Sequence, residues 1–193
     1  DALPICMNKE LLVNGYGMTV LTPITKVMAH FPLSSLPQKP ESALVICFGM
    51  GTTFRSIVSW GVDVTAVELV PSVKDMFGYY HKDAAEVVGK PNAHIVVDDG
   101  RRFLARTTKR FDLVSIDPPP PVEAAGSSLL YTREFYDLIK TRLKPGGILM
   151  QWFPGGEPNI LYSISRSITE KFKYVKVYRS IEEAGFHYFA SDV

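Results

Sequence analysis

Four short stretches of this chain combine residue types that bind or react where a backbone turns. The first is Gly49-Met50-Gly51-Thr52, directly after an apolar run. Glycines let a backbone approach a ligand closely, and a helix starting behind them offers unpaired N–H groups. Phe54 stands where a dinucleotide fingerprint carries its third glycine, so the loop alone reads equally well as a tight turn. The second is Glu68, 17 positions past Gly51. An acid there, at a strand end, accepts from both hydroxyls of a ribose; the plain alternative is a solvated carboxylate. The third is Asp98-Asp99-Gly100. A carboxylate after a strand accepts from the exocyclic amine of adenine, and Asp99 equally suits the N-cap of a following helix. Asp98 competes for the binding role. The fourth is Asp117, followed by Pro118 to Pro121. Proline biases the residue before it toward extended geometry, so Asp117 sits on a stiff strand exit. A carboxylate held there suits a general base or a cation ligand better than a mere turn.

Other reactive residues carry less. Arg101, Arg102, Arg106, Lys109 and Arg110 form a basic cluster that reads as a solvated helix face before a phosphate site. His30, His81, His94 and His187 lack metal-ligand spacing, and two cysteines, Cys6 and Cys47, cannot build a zinc site, so no metal is expected. Cys47 lies inside an apolar run and reads as core. Neither a Gly-x-Ser-x-Gly elbow nor a P-loop occurs.

The elements that must hold these groups follow from apolar patterning. Asn14-Gly15 between β-prone runs within Glu10 to Leu21 predicts a hairpin. Ser34 to Glu41 is rich in proline and serine and reads as a connection. Ala43 to Phe48, Val62 to Val67, His94 to Val97, Phe111 to Ile116 and Ile148 to Trp152 are continuous apolar runs, the pattern of strands covered on both faces. Helices are expected over Thr52 to Trp60, from Pro71 past Tyr80, after Asp99, over Thr132 to Leu143 and over Pro158 to Phe172. Lys144-Pro145-Gly146-Gly147 stops the fourth of these. Tyr174 to Tyr178 and Phe186 to Ala190 close the chain as an antiparallel pair. The reading is an α/β fold, a doubly wound, mainly parallel sheet behind a small N-terminal β-hairpin. The expected division is residues 1–40 for hairpin and linker and 41–193 for the Rossmann domain. The four polar groups then fall at the carboxyl ends of strands, where such sheets bind ligands.

Composition agrees and narrows the function. The 193 residues are 46% hydrophobic and 21% charged, a globular profile that excludes a disordered chain or a coiled coil. With 21 basic and 20 acidic residues, no global charge draws the chain to nucleic acid or to an anionic membrane. Cysteine usage excludes a secreted disulfide scaffold and fits a reducing, cytoplasmic compartment. No run reaches the roughly 18 apolar residues of a membrane span. The start at Asp1 is compatible with a domain excised from a longer protein, so the soluble part of a membrane protein stays open.

The combination resembles the spermidine/spermine synthase family, polyamine aminopropyltransferases built on a methyltransferase-like Rossmann domain. The likeness runs from about Leu11 to Ser191. It rests on Leu11-Leu12-Val13-Asn14-Gly15, Met28-Ala29-His30-Phe31-Pro32-Leu33, Gly49-Met50-Gly51, Val67-Glu68, Val97 to Leu104, Phe111-Asp112-Leu113 with Asp117, Leu130 to Tyr136, and Leu143 to Gly147. The resemblance implies that Glu68 holds a ribose, that Asp99 and Gly100 hold an adenine, and that Asp117 is catalytic. The candidate nucleoside-binding set is therefore Gly49, Met50, Gly51, Glu68, Leu69, Asp98, Asp99, Gly100 and Asp117. Several positions depart from the family's pattern. The second acid of its Asp-x-x-Asp pair is Pro120. The tyrosine, histidine and glutamate before the Met-Ala-His stretch are Ile24, Thr25 and Lys26. A glutamine near the hairpin is Met18, and Tyr178-Arg179-Ser180 stands near where a proline- and tyrosine-rich gate is expected. The nucleoside half is kept and the polyamine half is eroded, and a multiple cation needs several carboxylates.

The leading expectation is a transferase that moves an aminopropyl group from decarboxylated S-adenosylmethionine to an amine, with a degenerate polyamine site. An S-adenosylmethionine-dependent methyltransferase and a non-catalytic nucleoside-binding domain are the alternatives, since fold alone does not choose among them. The implied co-substrate is decarboxylated S-adenosylmethionine or S-adenosylmethionine itself. A homo-oligomer, in the simplest case a dimer, is expected, and no nucleic-acid partner.

Overall fold

The computed structural model of the chain describes residues 9–193. Cys6 lies outside the described residues. β1 (Glu10–Val13) and β2 (Tyr16–Val20) form the expected hairpin. Its turn residues Asn14 and Gly15 have φ of 51° and 80°, the left-handed pair that a two-residue turn between twisted strands requires. α1 (Ile24–Ser35) follows, a helix that apolar patterning did not reveal and that carries Pro32 inside it. Its Met28, Ala29 and Leu33 pack into the core of the main body.

That body alternates strands and helices. In chain order it comprises β3 (Ser42–Ile46), α2 (Thr52–Val58), β4 (Asp63–Glu68), α3 (Pro71–Asp75), α4 (Phe77–Tyr80), α5 (Ala84–Val88), β5 (Ala93–Val97), α6 (Gly100–Arg106) and β6 (Phe111–Ile116). Next come α7 (Ala125–Ser128), a 3-10 turn (Leu129–Tyr131), α8 (Arg133–Arg142), β7 (Leu143–Phe153) and α9 (Pro158–Thr169). β8 (Tyr174–Arg179), a second 3-10 turn (Ile181–Glu183) and β9 (Phe186–Ser191) end the chain. The seven-stranded sheet has the order β5-β4-β3-β6-β7-β9-β8. The pairs from β5 through β7 are parallel, while β9 runs antiparallel to both β7 and β8. The fold is the doubly wound α/β sheet read from the sequence.

Successive side chains of a strand point to opposite faces. Leu44 and Ile46 of β3 accordingly join a core with Leu104, Phe135, Ile139 and Ile168, under α6, α8 and α9. Ala43 and Val45 join the other core with Met28, Phe54, Ile57 and Val87, under α1, α2 and α5. Burial on both faces is the reason these strands read as unbroken apolar runs.

Three differences from the sequence reading bear on the site and the sheet. β3 ends at Ile46, not Phe48, because Cys47 has φ of 69° and a left-handed residue cannot continue a strand. The helix expected from Pro71 past Tyr80 breaks at Met76 into α3 and α4, which turns Phe77 into an aromatic cluster with Phe48 and Phe54. Lys144-Pro145-Gly146-Gly147 stops α8 as expected but is itself drawn into β7, with a register shift opposite Phe111–Leu113.

One buried polar chain ties the sheet to the segment that leads into α8. The Tyr136 hydroxyl donates to Gln151 Oε1 at 2.8 Å, and Gln151 Nε2 donates to the Leu130 carbonyl at 3.0 Å. Gln151 and Tyr136 are buried. Gln151→Leu leaves the Tyr136 hydroxyl and the Leu130 carbonyl without partners, each worth about 1–3 kcal/mol. Urea unfolding is expected to show a lower midpoint at unchanged slope. A variant as stable as wild type would mean that the pair contributes nothing to holding this segment.

Candidate active site

The chain leaves β3 toward α2 and leaves the neighbouring β6 toward α7, on opposite faces of the sheet. A crevice at such a switch point is where doubly wound sheets bind ligands. Ile46 and Ile116 are the last partners of the two strands. The next N–H, that of Asp117, donates to the Ile46 carbonyl at 3.3 Å. The Cys47 N–H donates to the Val67 carbonyl at 3.1 Å, and the Asp98 N–H to the Glu68 carbonyl at 3.1 Å. Four strand exits are thus laced together, and Cys47, Glu68, Asp98 and Asp117 share one edge.

The glycine loop is shaped from two sides. Gly49 and Gly51 have φ of 54° and 79°. A Cβ on Gly51 would lie 2.5 Å from the Phe77 ring, so the aromatic cluster leaves no room for one. Glu68, with only 8% of its surface exposed, holds the loop from the other side. Its Oε2 accepts from the N–H groups of Phe48 at 3.0 Å and Gly49 at 3.3 Å, and its Oε1 from that of Val70 at 2.9 Å. A carboxylate has about four lone-pair positions, so capacity for one further donor remains. The residue expected to hold a ribose is therefore also the residue that fixes the loop. Met50 contributes backbone to this loop, while its side chain is buried against Leu11, Val73 and Tyr80 under the hairpin. Leu69, beside Glu68, is exposed.

At the third exit the structure shows the N-cap reading of Asp99. Asp99 Oδ1 accepts from the Arg102 N–H at 2.8 Å, the N-cap of α6. Asp98 Oδ1 accepts from the Asp99 N–H at 2.8 Å and pairs with the Arg102 guanidinium, which holds the Asp98 carboxyl below its usual range. A Cβ on Gly100 would lie 2.5 Å from Ile46 Cγ2, so glycine lets α6 start tight against the end of β3. Of the basic cluster, Arg102, Arg106, Lys109 and Arg110 are exposed, as a solvated face requires.

Asp117 stands at the centre. It is half-buried, and removal from water pushes its carboxyl up to about 7. Its backbone is followed by the proline run, which Ser127 Oγ braces by donating to the Pro119 carbonyl at 2.6 Å. Asp117 lines a small pocket with Thr19 and Val20 of the hairpin, Thr25 of α1 and the glycine loop. The space is about 20 Å³, room for one water.

Two residues at this edge were not singled out from the sequence. Cys47 is no core residue of a strand: it follows the strand end and lines the pocket with Asp117. Burial, then the charges of Glu68, Asp117 and Asp99, push its thiol well above the usual range, so it stays neutral. The Tyr131 hydroxyl is buried with no hydrogen-bond partner among the described residues. Burial first, then the Asp117 charge and Cys47, push the Tyr131 hydroxyl well above the ordinary phenol range, so it stays protonated. A cysteine two positions before Gly49 is a usable signal for the first. Nothing in the local pattern distinguishes Tyr131 from a core aromatic. Among the described residues no group of three His, Cys, Asp or Glu side chains could hold a metal ion, and no helix is long and apolar enough to cross a membrane.

Known proteins share both the sequence pattern and the architecture. A polyamine aminopropyltransferase of Sulfurisphaera tokodaii is 31% identical over 152 residues, covering 74% of this chain and 49% of that protein. Polyamine aminopropyltransferase 2 of Pseudomonas aeruginosa is 28% identical over 151 residues, covering 74% of this chain and 42% of its own length. The chain spans about half the length of the curated relatives it matches. In fold it is similar to a spermidine synthase in complex with the transition state analogue AdoDATO, at a TM-score of 0.81 and 24% identity over 93% of this chain and 65% of that one. A human methyltransferase-like protein 13 in complex with SAH gives a TM-score of 0.67 at 16% identity, over 87% of this chain and 79% of that one. The spermine/spermidine synthase domain model matches residues 22–181, from just before α1 to the turn after β8, and so takes in every strand exit described above. The chain belongs to the spermine/spermidine synthase domain family.

Proposed function

We propose that the domain transfers an aminopropyl group from decarboxylated S-adenosylmethionine to an amine acceptor. The observation that carries this reading is Asp117, a carboxyl raised to about 7 at a rigid strand exit beside the glycine loop. The sulfonium makes the adjoining carbon of the aminopropyl chain electrophilic. The amine nitrogen forms the new C–N bond, the C–S bond breaks with its electron pair moving to sulfur, and methylthioadenosine leaves. The attacking amine must shed a proton, and a base tuned near neutral pH takes it with most efficiency. Glu68 and Asp99 hold the ribose and the adenine in this reading, with Gly49, Gly51, Leu69, Asp98 and Gly100 around them. Within the 1–40 unit, the hairpin and α1 form the rim over Asp117, and residues 41–193 carry the nucleoside side. We place the protein in the cytoplasm, as its cysteine usage suggests.

The acceptor half bears less negative charge than a polyamine needs. Pro120 supplies no second carboxylate, Thr25 stands in the Asp117 pocket where the family's pattern has a histidine, and Lys26, where that pattern has an acid, lines the neighbouring cleft instead. The decisive experiment is an assay with decarboxylated S-adenosylmethionine and a panel of amines across pH. Below about 7 Asp117 keeps its proton; above it the carboxylate is free to act as base. kcat/KM is therefore expected to rise with pH through a limb near about 7. Asp117→Asn should lose that limb and about 10²–10⁴-fold in kcat. Putrescine is expected to turn over well below about 1 per second, the bottom of the ordinary enzyme range. Fast putrescine turnover would refute the charge argument, and an unchanged limb in Asp117→Asn would remove Asp117 from the role of base.

Glu68→Ala removes a charged acceptor and releases two N–H groups of the glycine loop together. Calorimetry with methylthioadenosine is expected to show binding weakened by about 1–3 kcal/mol. Wild-type affinity in the variant would take Glu68 out of the nucleoside site.

We also propose that the protein is a homodimer joined through the hairpin. A two-stranded hairpin is marginal alone. One side packs through Leu11 on Met50, Val73 and Tyr80, while Leu12, Val20 and Leu21 are exposed. Light scattering should report twice the chain mass for wild type and the single-chain mass for Leu12→Glu. A wild-type monomer at high concentration would sink this assignment.

A further inference from the structure

A cleft of about 530 Å³ opens beside the rim, lined by different residues from those around Asp117. Its cationic side comes from three separate elements: Lys26 of α1, Arg55 of α2, and Lys82 between α4 and α5. Its apolar side is Leu21, Pro23 and Tyr80. Asp83 is the one carboxylate in the wall, and it is already committed. Arg55 Nε lies 2.8 Å from both of its oxygens, and a terminal guanidinium nitrogen lies 2.7 Å from one. Among the described residues no carboxylate stands within 4.0 Å of Lys26 or Lys82. The cleft therefore keeps two uncompensated positive charges along a concave, partly apolar wall.

His81 connects this wall to the glycine loop. Its Nε2 lies 3.1 Å from Thr52 Oγ1, within hydrogen-bond reach of the first residue of α2. The cleft and the loop thus share an imidazole.

We propose that this cleft is a second ligand site, for a small organic anion whose phosphate or carboxylate oxygens are held by Lys26 and Lys82. Its apolar part lies on Leu21, Pro23 and Tyr80. The charge excludes an amine, so the site differs in kind from the acceptor half near Asp117. The volume falls within the roughly 300–1,000 Å³ of small-molecule sites and exceeds what one inorganic ion fills. Binding against the shared imidazole couples the occupant to the loop that carries the nucleoside.

The test is calorimetric titration of the full chain with phenyl phosphate, pyrophosphate and citrate, at about 0.15 M ionic strength so that loose surface attraction is screened. Phenyl phosphate is expected to bind saturably and more tightly than pyrophosphate, because it also covers the apolar wall. Tighter binding of citrate would assign carboxylate as the preferred group and keep the site. Lys26→Gln/Lys82→Gln should weaken the best ligand about tenfold or more, since each charge-assisted contact is worth at least that. Both lysines are exposed, so the variant should keep the wild-type circular dichroism spectrum and melting midpoint. Lys82→Glu should weaken binding further than Lys82→Gln. Absence of saturable binding by all three anions would overturn the proposal. So would equal affinity of the folded double variant and wild type.

Discussion

Glu68 keeps a carboxylate almost entirely out of water, and the carboxyl edge of the sheet is arranged around the donors that make this tolerable. A buried charge costs several kcal/mol unless hydrogen bonds replace its hydration. Here three backbone N–H groups do so, from Phe48 and Gly49 after β3 and from Val70 after β4. Meeting that demand pulls two turns toward one side chain. The first turn must then bend back immediately past Ile46, which puts Cys47 at φ of 69° and leaves Gly51 against the Phe77 ring. The carbonyl of Glu68 itself takes the Asp98 N–H, which brings the exit of β5 to the same edge. Asp117 completes the edge through Ile46.

How much of this the sequence discloses depends on the range of the interactions involved. β3, β4, β6 and β7 are legible because both their faces are covered, whereas β5 lies at the sheet edge with no fully buried residue and is legible from its β-branched run. The hairpin is legible because Asn14-Gly15 is a local demand for two left-handed residues. α1 is not, because Pro32 and the β-branched Ile24, Thr25 and Val27 argue against a helix locally. What wins is burial of Met28, Ala29 and Leu33 against strands far along the chain. The same contrast runs through the site. Asp117 announces itself by the prolines after it, and Glu68 by its distance from the glycine loop. That Glu68 also clamps that loop depends on bonds spanning 19 and 20 positions, which spacing alone does not reveal. Cys47 reads as core because residue type carries no record of φ. Tyr131 is positioned through Leu130 and Gln151, a contact across 21 positions.

Two electrostatic regions of opposite character lie on either side of the first turn of α2. Around Asp117 the groups are carboxylates with Cys47 and Tyr131 neutral beside them, and low hydration raises Asp117 into the range where it exchanges protons. Around Lys26 and Lys82 the charge is positive and the wall open. His81 stands between them and is held neutral: burial lowers its basicity first, and the nearby Arg55 charge lowers it further. A neutral imidazole has one donor and one acceptor nitrogen, so Nε2 can meet the Thr52 hydroxyl in either sense. The bridge therefore orients Thr52 and the loop backbone without placing a cation next to Glu68. An imidazolium would present only an N–H to Thr52. The hydroxyl would then have to accept, with its own proton turned to another partner. The charge state of one ring thus decides how the first turn of α2 is hydrogen-bonded, and keeping the cleft's positive charges on flexible lysines rather than on that ring lets the loop hold one geometry.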